Sequence, residues 1–561
     1  MALPESERHF AELPQANIKR SKFNRPQSYK GTCNFSEIIP VYVDTDIMPG
    51  DTVSLDMGSV IRLTTPIFPT MDNAYVDFVA FFVPHRLVWN HWKEFWGENN
   101  STYWEQPVEY TIPYTTSPTG GWDKGSLADY MGIPTKVAGI TVNSLAFRAY
   151  CKIYEDWWRD ENLKQPAFYN IDDTNLTGKN VDGSYDYVTY TQLGAAPLKA
   201  AKFHDRFTSA LPAPQKGPSV TVPLGSGAPV YADNSYDNRS IMAGTVKHAY
   251  WNGTAWTDIT TTTDTYIDAD AMLKGLAGTN TGGAPVAPIN LMADLRNATA
   301  ATINQLRQAY AVQRYLEAIA RSGSRYIEII KGIFGITSPD ARLQRSEYIW
   351  GTRQPINIDQ VLQTSSTDST SPQGNTAAFS CTVAGENAFT KSFTEHGTLM
   401  ILMCLRHHIS YQQGLNPMWS RRKRTDWYVP QFANLGEMPI YNREIYAQGP
   451  SAVNPSTGKA YDDEVFGYQE AWSELRYNTD IVVGAFRSNV SGSLDAWHYA
   501  DYYNSLPTLG SAWIDADKSN IDRTLAVPSS TEDQVIFDIF FDFNYTRPLP
   551  MYSIPQISDH Y

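Results

Sequence analysis

The residues best suited to chemistry form a short basic and aromatic stretch around residue 420. Four cations stand in a row there, and a tryptophan stands on each side of them. Cationic side chains bind phosphates and aromatic rings stack on bases, so the combination suits single-stranded nucleic acid. A solvated loop, or a salt-bridged contact between subunits, would explain the same pattern. The candidate nucleic-acid residues are Trp419, Arg421, Arg422, Lys423, Arg424 and Trp427.

A second group of cations lies within residues 1–34, among Pro, Asn, Ser, Gln and aromatic residues that show no periodicity. Such a segment is typical of an extended basic arm that contacts nucleic acid or a neighbouring subunit. A frayed terminus would have the same composition. The cations of this arm that we assign to nucleic-acid contact are Lys19, Arg20, Lys22 and Arg25.

Three further arginines repeat every seven residues in a segment that is predicted to form one long amphipathic helix. Asn290 is the predicted N-cap, and Ser322-Gly323 is the predicted end. Residues seven apart share one helix face. The stripe is either a solvated face or a subunit interface that meets acidic neighbours. The interface candidates are Arg307, Arg314 and Arg321.

Signatures of catalysis and of metal binding are missing from the sequence. It has no GxSxG, HExxH, Walker or GxGxxG motif. His85 and His91 lack a third ligand at a suitable spacing, and the adjacent His407 and His408 would point to opposite faces of a strand. The run Asp462–Glu464 fits a solvated acidic turn better than a calcium loop. We therefore expect no catalytic residue, no metal, no cofactor and no enzymatic activity.

The composition indicates a folded, β-rich chain with an acidic surface. Of 561 residues, 42% are hydrophobic and 13% aromatic, enough for a sizeable core. The net charge of −14 repels free nucleic acid, so local patches or a separate basic partner must supply any contact. The longest apolar run, Leu399–Leu405, is far shorter than the ~20 residues of a membrane helix. We also expect no secretory signal, and the scattered cysteines fit reduced thiols in an intracellular setting.

Strand patterns near both ends of the chain predict the framework that positions these groups. Apolar and polar residues alternate in Val53–Met57, as in a half-buried strand. Val76–Val83 and Thr398–Arg406 are apolar on both faces, which predicts central, covered strands. Phe537–Phe543 presents apolar side chains on one face and acidic ones on the other. Strands from the two ends can pair in a two-sheet sandwich or jelly roll.

The region 170–290 differs from its flanks. It is rich in Thr, Asp, Asn and Gly, and Asn252-Gly253 is a hairpin signal, so we predict an ordered β-rich surface insertion. The predicted segments are the basic arm at 1–34, the first part of the β framework with helical insertions at 35–169, the insertion at 170–290, the long helix and return segment at 291–351, and the second part of the framework at 352–561.

Four long blocks of sequence carry a family resemblance. They read NIKRSKFNRPQSYKGTCNF, IPVYVDTDIMPGDTVSLD, FGITSPDARLQRSEYIWG and VFGYQEAWSELRYNTD, and they lie near the start, the middle and the end of the chain. The chain closely resembles the major capsid protein of microviruses, in the gokushovirus branch. The resemblance implies an eight-stranded viral jelly roll with long loop insertions and several helices. It also implies a small T=1 icosahedral shell around the circular single-stranded DNA of a bacterial virus.

The expected partners follow from that resemblance and from the net charge. They are further copies of the chain, the DNA genome, a minor capsid or pilot protein, and a host surface receptor reached through an outer protrusion at 170–290. Because an acidic shell adds to the charge of the genome, we also predict a small basic DNA-binding virion protein. No membrane is expected, and the chain should reside in the virion after assembly in the host cytoplasm. The alternative from another class is a carbohydrate-binding or carbohydrate-active β-sandwich, suggested by 15 Trp and 34 Tyr.

Overall fold

This computed structural model contains long strands near both ends of the chain, with shorter strands and helices between them. The structure describes residues 19–99, 108–167, 169–180, 190–221, 303–365, 372–374, 376–516 and 518–553, with six short strands between residues 230 and 293. The strands are β1 (Ser21–Cys33), β2 (Ile38–Ile47), β3 (Thr52–Leu63), β4 (Ala74–Pro84), β5 (Tyr114–Thr116), β6 (Thr141–Asn143), β7 (Leu176–Thr177), β8 (Val230–Ala232), β9 (His248–Trp251), β10 (Trp256–Asp258), β11 (Gly278–Thr279), β12 (Pro285–Pro288), β13 (Leu291–Ala293), β14 (Glu347–Pro355), β15 (Ile358–Leu362), β16 (Thr376–Ser380), β17 (Thr382–Ser392), β18 (Gly397–His407), β19 (Ser410–Tyr411), β20 (Glu437–Tyr441), β21 (Val465–Glu470), β22 (Asp480–Ile481) and β23 (Val535–Arg547). The α-helices are α1 (Trp92–Phe95), α2 (Leu127–Tyr130), α3 (Leu145–Ile153), α4 (Ile303–Ser322), α5 (Tyr326–Ile329), α6 (Asp340–Leu343), α7 (Ser511–Ile514) and α8 (Ser519–Asp522).

Eight of these strands form two four-stranded antiparallel sheets. The first sheet has the order β1-β23-β3-β17, and the second has the order β14-β4-β18-β2. Along the chain, consecutive strands of this set alternate between the sheets except at the step from β4 to β14. Two sheets of four strands connected in this way are the jelly roll, so the predicted fold is confirmed.

The alternation of side chains explains why these strands bury one face. Along β23, Phe537, Ile539, Phe541 and Phe543 are buried in the core between the sheets, whereas Ile536 and Phe540 are exposed on the outer face. The central strands β4 and β18 are apolar on both faces, as predicted. Their second face packs against a further cluster that includes residues of α3. The jelly roll therefore has one core between its sheets and a second core outside the second sheet.

The C-terminal part of the predicted arm is a strand of the framework. Residues Ser21–Cys33 form β1, which pairs with β23 along its full length, from Ser21 opposite Arg547 to Cys33 opposite Val535. The polar composition of this segment is that of a strand at a sheet edge, where one side faces solvent. Pro26 is tolerated there because an edge strand needs only half of its backbone donors for pairing.

The long helix is shorter than the sequence indicated, and its predicted start is wrong. Helix α4 begins at Ile303, and the three residues after the predicted N-cap Asn290 form β13, which pairs with β8. Local periodicity could not reveal that pairing, because β8 lies far away in the sequence. The predicted end is confirmed, since α4 stops at Ser322 and Gly323 has a φ of 97°.

The chain forms two compact units. The first comprises Met1–Pro214 and Ile319–Tyr561 and contains the jelly roll, and the second comprises Gln215–Ala318. In the second unit β9 to β12 form a sheet of order β10-β9-β12-β11, and β8 pairs with β13. The hairpin signal Asn252-Gly253 lies between the paired strands β9 and β10, but its own residues are outside the described ranges. No helix in the described ranges has the length and apolarity to cross a bilayer.

Candidate nucleic-acid and subunit interfaces

Two short 3-10 turns, Pro417–Ser420 and Arg424–Asp426, carry the basic and aromatic stretch. A carboxylate of the second turn organises the backbone between them. Asp426 Oδ2 accepts hydrogen bonds from the backbone N–H of Arg422 at 2.9 Å and of Lys423 at 2.8 Å. These two bonds lower the pKa of Asp426, so the carboxylate stays ionised and holds the loop.

The four cations of the stretch have different environments. Arg421 is mostly buried, its Nη2 lies 3.1 Å from Glu474 Oε1, and its guanidinium lies 5.5 Å from the centroid of the Trp427 ring. Arg421 therefore has a structural partner on each side. The other three cations of the stretch are exposed, namely Arg422, Lys423 and Arg424.

The tryptophan rings of the stretch are open to solvent. Trp419 is 70% exposed and Trp427 is 58% exposed. Exposed rings next to exposed cations are the arrangement that binds single-stranded nucleic acid without reading its sequence. The structure thus brings together three of the four predicted cations and both predicted rings on one loop.

The cations of the predicted arm are divided in a similar way. Arg25 Nη1 lies 3.2 Å from the buried Asp44 Oδ2, and the Arg25 guanidinium lies 4.9 Å from the centroid of the Tyr545 ring. Arg25 therefore contributes to the jelly roll itself. Three cations at the start of β1 remain exposed, namely Lys19, Arg20 and Lys22.

The arginine stripe does not behave as one surface. Arg307 and Arg314 are exposed on α4. Arg321 instead forms an ion pair with Glu437, whose side chain is buried, and its Nη1 lies 3.9 Å from Glu470 Oε2. The sequence could not reveal this difference, because the partners of Arg321 follow it by more than a hundred residues.

Sequence reasoning missed a set of exposed apolar residues directly after α4. Tyr326, Ile333, Phe334 and Ile336 are all exposed, and the Phe334 side chain is 69% exposed. The signal in the sequence was the segment Ile329–Ile336, in which Lys331 is the one charged residue among isoleucines, glycines and Phe334. Exposed apolar patches of this kind mark association surfaces.

The histidines and acidic residues considered as metal ligands have structural contacts. Within the described ranges no group of three His, Cys, Asp or Glu side chains could hold a metal ion. His91 Nδ1 lies 2.9 Å from Asp173, and His407 Nδ1 lies 2.7 Å from the carbonyl oxygen of His408. Asp462 accepts hydrogen bonds from two backbone N–H groups of a neighbouring turn. Burial lowers the pKa of His85 to about 4, so this ring is neutral near pH 7.

The fold and these surfaces define a class of protein. Two sheets of order β1-β23-β3-β17 and β14-β4-β18-β2, with long insertions and exposed apolar and basic loops, are the architecture of a viral jelly-roll capsid protein.

The comparisons with known proteins identify the family. The family described as "Capsid protein (F protein)" matches residues 11–557. The chain is 41% identical to capsid protein VP1 of Bdellovibrio phage phiMH2K over 557 residues, which cover 97% of each chain. It is 41% identical to capsid protein VP1 of Spiroplasma virus 4 over 552 residues, covering 98% of this chain and 97% of the relative. It is 38% identical to capsid protein VP1 of Chlamydia phage 1 over 591 residues, covering 98% and 97%.

The chain therefore belongs to the capsid protein (F protein) family of bacterial viruses, and its role is structural. The resemblance to microvirus capsid proteins is confirmed, because all three relatives are microvirus proteins. The gokushovirus branch stays a prediction. These relatives give no support to the carbohydrate-binding alternative.

Proposed function

We propose that this protein is the major subunit of a small icosahedral shell that encloses circular single-stranded DNA, and that it acts without enzymatic activity. The observation that carries the proposal is the amount of large apolar side chain left exposed on a well-packed jelly roll. Tyr326, Phe334 and Val383 are each at least 69% exposed. A soluble monomer would not retain such surface, whereas identical copies that close by symmetry would cover it.

The exposed cations support contact with the genome. Arg422, Lys423 and Arg424 lie on one loop, and Lys19, Arg20 and Lys22 lie at the start of β1. They follow phosphates without regard to sequence. They do not offset the net charge of −14, so a separate small basic virion protein supplies most of the neutralising charge. A minor capsid or pilot protein completes the particle, which is assembled in the host cytoplasm.

The second unit supports a different role. We assign the host-contact surface, which we predicted from the sequence to be an outer protrusion at residues 170–290, to the second unit. The β-rich, turn-rich composition suits a solvated surface that changes easily. Residues 191–214 of that segment pack in the first unit, where Leu198 and Phe207 are buried, so the candidate for host contact narrows from 170–290 to residues 215–290.

The assembly proposal is tested with Phe334→Ser. We expect this variant to remain folded, because the ring is exposed, but to lose closed shells, because the apolar contact between copies is gone. Electron microscopy and sedimentation measure the shells, and urea unfolding measures the stability of the chain. Phe334→Tyr is the matched control, and it should still assemble because it keeps the ring.

Two results would contradict the proposal. Normal shells from Phe334→Ser would remove this segment from the subunit interface. Wild-type protein that stays monomeric and binds glycans would restore the carbohydrate-binding alternative.

A further inference from the structure

A cavity of about 280 Å³ opens beside the basic stretch. Its lining includes residues of the turn Pro417–Ser420 and of the segment that leads into β22. Its lining includes exposed apolar side chains, since Trp419, Ile481 and Tyr477 are 70%, 73% and 55% exposed. None of these residues belongs to the core of the jelly roll.

The charges around this cavity are largely paired with one another. In its lining Arg206 Nη1 lies 2.5 Å from Glu444 Oε2, and both side chains are buried. Glu474, also in the lining, is the partner of Arg421 at 3.1 Å. Arg487 is the one lining cation without a carboxylate partner among the described residues, and it donates to the carbonyl oxygen of Gln412 at 2.7 Å. A nearly neutral cavity of this kind suits an uncharged planar group better than a phosphate.

Two polar side chains remain available in the cavity. Asn478 and Thr479 are in the lining, and within the part of the chain that the structure describes neither side chain has a hydrogen-bond partner. An Asn amide supplies donors and an acceptor, and a Thr hydroxyl supplies one of each. These are the groups that pair with the edge of an unstacked base.

The cations that suit phosphates lie just outside the cavity. Arg422, Lys423 and Arg424 follow Trp419 on the same loop and are exposed. The volume of about 280 Å³ is near the lower end of small-molecule sites, which begin at roughly 300 Å³. The cavity therefore has room for one aromatic ring system, and the loop beside it has the charge for the adjoining backbone.

We propose that this cavity holds a single unpaired nucleobase, stacked on Trp419 and hydrogen-bonded by Asn478, while the three exposed cations hold the neighbouring phosphates. The inference rests on the proposed contact between the basic stretch and single-stranded DNA. It adds that the contact has two separable parts. Trp419 stacks on the base, and the three exposed cations bind the phosphates.

The test measures binding of the full-length chain to a fluorescent single-stranded oligonucleotide of thymidines and to a matched oligonucleotide of abasic sites, over a series of salt concentrations. We expect the base-bearing strand to bind roughly tenfold more tightly, as stacking on one ring would give. Trp419→Ala should remove that preference and keep the dependence on salt. Replacing Arg422, Lys423 and Arg424 together by Ser should weaken the salt dependence and keep the preference. Trp96→Ala, which removes another exposed tryptophan outside the cavity, should behave as wild type.

Each alternative outcome has a distinct meaning. Equal affinity for the two oligonucleotides overturns the base site and leaves the phosphate contact intact. Unchanged binding by the triple serine variant overturns the DNA contact of this loop altogether. If Trp419→Ala binds both oligonucleotides as wild type but fails to form shells, the cavity belongs to a contact between protein subunits and the base site is wrong.

Discussion

Single carboxylates decide which cations of this chain are available to a partner. Asp44 engages Arg25, and Glu474 engages Arg421. Each pairing leaves one cation fewer to bind a partner, although the cations of each cluster are indistinguishable in the sequence. An exposed cation that lacks such a partner keeps its full attraction for phosphate, so the surviving cations matter more than the number of basic residues.

Buried histidines make the stability of the subunit sensitive to acid. His85 is buried and stacks on Trp92 with ring centroids 4.4 Å apart, and burial lowers its pKa to about 4. In the unfolded chain the ring takes up a proton below its ordinary pKa of about 6.5. The unfolded state therefore binds more protons between pH 6.5 and 4, and folding stability falls as the pH falls through that window.

Between pH 7 and pH 5 the free energy of unfolding should fall in wild type by about 2 kcal/mol more than in His85→Phe. One pKa unit corresponds to ~1.4 kcal/mol. Phenylalanine keeps the stack on Trp92 and cannot titrate. Urea unfolding of the unassembled chain at the two pH values measures the difference. His204→Phe, which replaces an exposed histidine, is the control and should keep the wild-type loss. Equal losses in both variants would show that His85 does not carry the effect.

Residue types were predictable from the sequence, but their partners were not. The basic and aromatic stretch is evident from its composition, and its rings are exposed as a stacking surface requires. Arg421 has a structural role because it pairs with Glu474, which lies 53 residues further along the chain. Neither periodicity nor composition encodes such a pairing.

At the scale of elements, helix α4 crosses from the second unit into the first, and its arginines have different neighbours. Arg307 and Arg314 are exposed, whereas Arg321 pairs with Glu437. We expect the double variant Arg307→Gln/Arg314→Gln to weaken shell assembly and leave unfolding in urea unchanged. Exposed pairs contribute only ~0–1 kcal/mol each, but symmetry repeats each contact around a shell.

Arg321→Gln should show the opposite behaviour. It leaves the buried Glu437 carboxylate without its ion-pair partner, so the free energy of unfolding should fall. Sedimentation of assembled particles and urea titration of the unassembled chain separate the two effects. Loss of stability in the double variant, with assembly unchanged, would show that Arg307 and Arg314 pack inside the subunit.

Elements whose signal is local were predicted well. Strands β3, β4, β18 and β23 were evident from alternation or from continuous apolar runs, because a strand's burial pattern is set by its own residues. Strands β1 and β13 were not, because both depend on partners far along the chain, β23 and β8. A polar segment becomes a strand only where an existing edge accepts it.

At the scale of the whole molecule, the ladder between β8 and β13 lies inside the second unit and pairs the two strands that flank residues 233–290. Ala232 lies opposite Leu291 in an antiparallel pair, so the residues on either side of 233–290 are neighbours. We expect replacement of residues 233–290 by the dipeptide Asn-Gly, which suits a two-residue hairpin, to leave the jelly roll folded and able to form shells.

The same variant should fail to attach to host cells, if the second unit carries the host contact. Circular dichroism, electron microscopy and a cell-binding assay measure folding, shells and attachment in turn. A variant that cannot fold would place these residues in the folding core. Normal attachment would move the host contact to the first unit.

The position of β23 affects how the first sheet folds during translation. Strand β23 lies between β1 and β3, yet it is translated after all other strands of the sheet. While synthesis continues, β1 and β3 each present an unpaired edge to the cell, and such edges invite aggregation. A nascent chain that stops before residue 535 lacks the strand that joins them. Prematurely terminated products therefore lack a complete first sheet, and we expect them not to join a shell.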